Sequence, residues 1–183
     1  MRANPYETID LSRDCPAVHV PSGETGTLPE GTQVSITQEL GGSFTVYAGG
    51  NLYRIAGTDA DALGREPLPL PKLPDNASDE DVENLVWSQL ETCYDPEIPV
   101  NLVELGLIYD CRITTVGEDQ RRVDILMTLT APGCGMGDVI ADDVRSKVLL
   151  VPTIIDASVE LVFDPPWTVD RMSEAARLAT GMM

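Results

Sequence analysis

The sequence predicts an α+β chain: a small antiparallel β domain, then a two-layer domain with helices on a mixed sheet in the order α-β-β-α-β-α. Three patterns predict it. Residues 34–56 contain short strand-like runs separated by Gly-Gly pairs, and residues 64–78, GREPLPLPKLPDNAS, are dense in proline. Beyond them, apolar residues recur first at helical spacing and then at period two.

In the front part, VSITQ (34–38), SFTVY (43–47) and NLYRIA (51–56) read as strands. Gly41-Gly42 and Gly49-Gly50 supply the positive φ that tight hairpin turns require. CPAVHV (15–20) is a further candidate strand, and TDADAL (58–63) a single helical turn. Prolines at 67, 69, 71 and 74 stiffen the backbone and forbid a helix interior or a central strand. The predicted division is therefore a β-rich domain with its linker over 1–74 and an α+β domain over 75–183. Nothing in the front part suggests chemistry, and His19 and Cys15 read as packing or surface residues.

Ser78 with Asp81 forms a capping box ahead of Val82, Leu85, Val86, Leu90 and Cys93, which share one helical stripe. Cys93 is thus a core residue. The helix stops near Tyr94, because DPEIPVN places Pro96 and Pro99 where it cannot continue. Leu107, Tyr109, Cys111 and Ile113 then alternate with Ile108, Asp110, Arg112 and Thr114, and after TVGEDQ the residues Val123, Ile125, Met127 and Leu129 face inward, giving a hairpin. Val139, Ile140, Val144, Val148 and Leu149 predict a helix over 138–151. ASVELVF (157–163) predicts a strand with Val159, Leu161 and Phe163 inward, and a last helix is predicted over 169–180, closing at Gly181.

Thirty acidic residues against twelve basic ones give a net charge of -18, which repels nucleic-acid backbones and anionic lipid. No apolar run reaches the roughly 18–20 residues of a membrane span. MRANPYETIDLSRD lacks the apolar segment of a secretory signal, so the expected location is the cytoplasm. The four cysteines, at 15, 93, 111 and 134, match no CxxC pair or zinc-finger spacing, and His19 is the only histidine.

TAPGCGMGD (130–138) is the stretch most suggestive of chemistry. Cys134 falls in a glycine-rich loop between a predicted strand and the N-terminus of a predicted helix, where backbone N–H groups and the macrodipole favour negative charge. A thiol there ionises below its usual ~8.5, although Asp138, Asp142 and Asp143 oppose the shift. Gly133, Gly135 and Gly137 leave room for backbone amides to approach the sulfur. Three readings stay open for Cys134: a structural thiol, a nucleophile lacking a nearby histidine base, or a ligand for a soft metal or iron-sulfur cluster. As a ligand it needs company from a second copy of the chain, a small thiol, or Asp95 and Glu97 of the DPE turn. A cluster held so sparsely is labile, which suits a carrier.

DPEIPVNLVELGLIYD (95–110), followed by MTLTAPGCGMGD (127–138), resembles the metal-sulfur cluster biosynthesis domain shared by the phenylacetate-degradation protein PaaD and eukaryotic cytosolic iron-sulfur targeting factors. The resemblance spans roughly residues 80–165. Residues 26–64 are similar to the extension of the bacterial SufT group of that family. The resemblance implies a non-enzymatic maturation factor that helps iron-sulfur clusters reach recipient proteins. The family's recurrent cysteine corresponds to Cys134, its acidic turn to Asp95, Pro96 and Glu97, and its threonine to Thr130. Cys134 is then the metal ligand, and Asp95, Glu97, Thr130, Gly133 and Gly135 shape its pocket. The implied cargo is a labile iron-sulfur cluster, shared or transient. The implied partners are iron-sulfur assembly proteins and recipient apo-proteins; separately, Cys134 thiols of neighbouring subunits could bridge one cluster in a homodimer. Two alternatives stand beside this: an adaptor that never binds metal, and a thiol-dependent catalyst working without histidine.

Overall fold

The computed structural model describes residues 7–95, 98–133 and 135–182 and divides the chain into two compact units, Met1–Pro69 and Leu70–Met183. In the first, six antiparallel strands, β1 (Glu7–Asp10), β2 (Cys15–Val20), β3 (Thr25–Leu28), β4 (Gln33–Leu40), β5 (Ser43–Ala48) and β6 (Asn51–Ile55), lie in the order β1-β4-β5-β6-β2-β3. Leu40 pairs with Ser43 and Ala48 with Asn51, so each Gly-Gly pair is the whole loop of a hairpin. All four glycines have positive φ, as type I′ turns demand. Val34, Phe44, Val46 and Ile55 fill one face of this sheet, closed by Ala60, Ala62 and Leu63 of a 3-10 turn over Gly57–Leu63. Cys15 is fully buried in the same core.

The second unit runs α1 (Asp79–Leu90), β7 (Ile108–Gly117), β8 (Gln120–Met127), α2 (Gly137–Val148), β9 (Ile154–Leu161) and α3 (Glu174–Thr180). This is an α+β fold on a three-stranded mixed sheet, ordered β7-β8-β9. β7 and β8 form an antiparallel hairpin, whereas β8 and β9 are parallel and need a crossover, which α2 provides. Ser78 caps α1 with the reciprocal Asp81 bond that makes a capping box. Val82, Val86, Leu90 and Cys93 meet Val123, Ile125 and Met127 of β8 and Ile140, Val144 and Val148 of α2 in one core.

Several elements depart from the sequence reading, each for a physical reason. β1 and β3 went unpredicted because each has four residues on a sheet edge, too few to show a period. β9 starts earlier and stops at Leu161. Its last ladder-like bond runs from the Val162 amide to the Met127 carbonyl, and Phe163 is left 43% exposed instead of pointing inward. The last helix is broken: a 3-10 turn covers Val169–Arg171, Met172 turns extended to bury its side chain, and Ser173 caps α3 by accepting from the Ala176 amide at 3.0 Å. Gly181 ends α3 in the left-handed conformation, as read from the sequence.

One side chain ties three corners of the second unit together. The buried Arg121 donates from Nη2 and Nε to Asp79 Oδ1 at 2.6 and 3.1 Å, and from Nη1 to Thr153 Oγ1 at 3.0 Å. Its amide donates to the Thr153 carbonyl at 2.8 Å. Thr153 sits at φ 75, unfavourable for a β-branched residue, and this double grip helps to hold it there. Replacing Arg121 with Ala is expected to cost about 2 kcal/mol of unfolding free energy through the lost charge-assisted bonds. Urea titration followed by circular dichroism measures this; an unchanged midpoint would refute the clamp.

Candidate functional site

The glycine-rich stretch is the loop from Thr128 to Met136 that carries the chain from β8 into α2. Cys134 and two residues of the acidic turn, Pro96 and Glu97, lie outside the described residues. What surrounds them is well defined. Met136 is the N-cap of α2 and offers no side-chain cap, so the first-turn amides keep their capacity for an anion. The opposing acids divide: Asp138 and Asp142 are exposed, while Asp143 is buried, 3.4 Å from Lys147 Nζ.

The glycines of this loop do different work. Gly133 has φ 78 with nothing within 4 Å of where a Cβ would stand, so its role is conformational. Gly135 likewise has nothing described within 4 Å of where a Cβ would stand. Gly137 lies in the core, where a Cβ would come within 2.9 Å of Leu129 Cδ1 and 3.1 Å of Leu161 Cδ1. Thr130 is half-buried, and its hydroxyl makes no hydrogen bond among the described residues.

Asp95 is buried at 4% exposure, which is uncommon for a carboxylate. The backbone folds tightly around it. Its carbonyl accepts from the Ile98 amide at 3.1 Å, Tyr94 bridges to Asn101, and the Cys93 carbonyl accepts from Leu102 at 2.8 Å. The segment then returns to the sheet: the Leu102 carbonyl accepts from Leu107, and the Leu107 carbonyl accepts from Thr128 at 2.9 Å. The segment leaving the acidic turn is therefore bonded to the first residue of the glycine loop.

A third segment, which the sequence reading did not single out, closes over this junction. Beyond the bond from Val162 to Met127, Trp167 Nε1 donates to the Leu105 carbonyl at 2.7 Å and Tyr109 Oη donates to the Pro165 carbonyl at 2.8 Å. The Arg171 guanidinium stands 4.3 Å from the centre of the Tyr109 ring, and the Ser173 amide donates to the Glu104 carbonyl. Gly106 makes this fit: it has φ 69, and a Cβ there would lie 2.2 Å from the Arg171 carbonyl oxygen. The segments 93–107, 128–136 and 162–173 thus meet at one end of the sheet.

Residues 83–161 match the family described as iron-sulfur cluster assembly protein. The chain is 46% identical over 101 residues to the Fe-S protein maturation auxiliary factor of Porphyromonas gingivalis, a match covering 55% of this chain and 92% of that protein. The chain belongs to the iron-sulfur cluster assembly protein family. The family member YitW of Bacillus subtilis, a Fe-S protein maturation auxiliary factor, is 36% identical over 104 residues, 57% of this chain and 98% of YitW. SufT of Staphylococcus aureus, a family member of the same description, is 40% identical over 88 residues, 48% of this chain and 96% of SufT. These family members are covered almost end to end by about half of this chain, so the other half has no counterpart in them.

The described cysteines are all withdrawn from solvent to some degree. Cys93 is fully buried, its thiol directed at the Gln89 carbonyl at 3.5 Å. Burial, reinforced by Glu83 and Asp110, pushes the Cys111 thiol up to about 11, and burial with Asp59 pushes Cys15 to about 11. Cys111 lines a cavity of about 260 Å³ with Asp79, Glu83, Arg112, Ile113, Thr115 and Arg121, and none of the described candidate site residues is among them. No described helix is long and apolar enough to cross a membrane.

Both raised thiols favour the protonated form in the folded chain. Their stabilising contribution is complete below the ordinary thiol value of 9.0 and is lost as pH climbs through about 11. The thermal midpoint is expected to hold up to about pH 9 and then decline. Mass spectrometry after brief iodoacetamide treatment near pH 8 should find Cys15, Cys93 and Cys111 unmodified. Labelling of Cys111 at the rate of a free thiol would contradict this assignment.

Proposed function

We propose that this chain is a cytoplasmic, non-enzymatic factor that receives an iron-sulfur cluster and passes it to recipient apo-proteins, with Cys134 as its thiolate ligand. Asp95, Glu97, Thr130, Gly133 and Gly135 shape the pocket, and the cluster is cargo held briefly. Membership of the iron-sulfur cluster assembly protein family carries this reading. The relatives named Fe-S protein maturation auxiliary factors support it further. So does the chemistry: a thiolate is the favoured ligand of iron in such clusters, and a loop opening onto uncapped helix amides tolerates the charge of a thiolate-bound cluster. One thiolate leaves the cluster short of ligands, which a second copy of the chain or an assembly protein would supply. Incomplete ligation makes release easy. Assembly proteins and recipient apo-proteins are the partners this role requires.

Anaerobic reconstitution with ferrous iron and sulfide tests the reading. Wild type should gain visible sulfur-to-iron charge-transfer absorption, and Cys134→Ser should lose most of the retained iron and acid-labile sulfide. Equal cluster content in the two proteins would remove Cys134 as a ligand. Pull-down of assembly components and maturation of a recipient enzyme that both survive Cys134→Ser would favour a metal-free adaptor instead.

A further inference from the structure

β7 is the last strand of its sheet: β8 pairs with it on one side, and among the described residues no segment bonds to its other side. Its register against β8 runs unbroken over 110–115, between irregularities near Ile108 and Gly117. A regular edge of this kind exposes a row of unpaired N–H and C=O groups, which folds cover or blunt unless another strand is to be added. The opposite edge of the sheet is covered. There the Arg145 guanidinium of α2 donates to the Ala157 carbonyl of β9 at 2.9 Å and stands 3.9 Å from Asp156. On β7 the 165–171 segment engages only the Tyr109 side chain.

The inner side of the same edge is incompletely filled. Val123, Ile125 and Met127 of β8 are sealed in the core, whereas Cys111 and Ile113 of β7 are only partly covered. The cavity of about 260 Å³ lies beside them and is walled by Asp79 and Glu83 of α1. Its charges do not cancel. Arg121 is taken up by Asp79, whose side chain is still 81% exposed, and Arg112 stands 3.6 Å from Asp110. That leaves Glu83, which makes no hydrogen bond or ion pair among the described residues, and the first turn of α1 adds Glu80 and Asp81. The groove therefore selects a cation.

We propose that the outer edge of β7 docks an extended basic segment of a partner protein, which adds to the sheet along 110–115 and directs lysine or arginine side chains into the cavity toward Glu83. Main-chain bonds to the strand edge supply the affinity, and the alternate side chains that enter the cavity supply the choice of partner. A second copy of this chain is a poorer occupant, because it would bring two chains of net charge -18, each with the acidic first turn of α1, to one interface. This edge lies apart from the glycine loop: none of its residues belongs to 93–107, 128–136 or 162–173.

The probe is a short, end-blocked peptide of alternating threonine and lysine, mixed with the full chain and followed by fluorescence anisotropy and by amide hydrogen exchange in two-dimensional NMR. It should bind, and alternate amides within 110–115 should gain protection while those of β9 do not change. A peptide with glutamate in place of lysine should bind at least about tenfold more weakly, since like charges then meet in the groove. A fully N-methylated lysine peptide, which keeps its charges and loses its donors, should weaken as much. Glu83→Gln, at an exposed position of α1, should weaken the lysine peptide by up to about fivefold, the range of an exposed ion pair. No binding, or protection centred away from β7, would overturn the proposal. Equal binding of the N-methylated peptide would show attraction without strand addition, and equal binding of the glutamate peptide or to Glu83→Gln would show that charge does not select the partner; each overturns it. Protection of 110–115 that rises with the concentration of the chain alone would make a second copy the occupant and overturn it as well.

Discussion

The hydrogen bond from the Thr128 amide to the Leu107 carbonyl is the contact on which the candidate site depends. β8 ends at Met127, and without that bond the chain would leave the sheet with no tie to the segment descending from Asp95. With it, the acidic turn and the glycine loop are parts of one continuous backbone network. Neighbouring bonds from Val162 to Met127 and from Trp167 to Leu105 bring the third segment to the same place. The site is therefore built from backbone connectivity at the sheet end, and its side chains are added to a frame already fixed.

Under the proposed reading, that frame would let a cargo be handed on while the fold stays rigid. The core beneath the loop is closed by Leu129, Leu161 and Gly137, where even one methyl group would crowd its neighbours. One step outward, Gly133 and Gly135 face open space. Under the proposed reading, a sparsely ligated cluster would benefit from such a boundary, because it would be held without being enclosed and a recipient with more thiolates could take it.

Much of the fold was legible because its signals are local. The capping box at Ser78, the Gly-Gly hairpins, the α1 stripe and the β7–β8 alternation each follow from a few adjacent residues, and the structure contains all four. The break at Met172 was not legible: the residues around it are compatible with helix, and only the core and the Glu104 carbonyl pull the chain extended there. The sequence placed a division near residue 74, and the compact units separate after Pro69. At the site, TAPGCG and DPE were visible as motifs. The partners that organise them were not, since Gly106 against Arg171 and Trp167 on Leu105 join residues more than sixty positions apart. Thr128 was not singled out in the sequence; its burial is evident only in three dimensions.

The central claim is that the cluster is received at the end of the sheet where these three segments meet. Paramagnetic broadening of backbone amides in the iron-loaded chain, read against the unloaded chain by two-dimensional NMR, tests it most directly. The account predicts loss of signals from Asp95 to Leu107 and from Thr128 to Gly137, with Thr115 to Gly117 at the far end of β7 unaffected. Broadening centred instead on Cys111, or on the six-stranded unit, would contradict it.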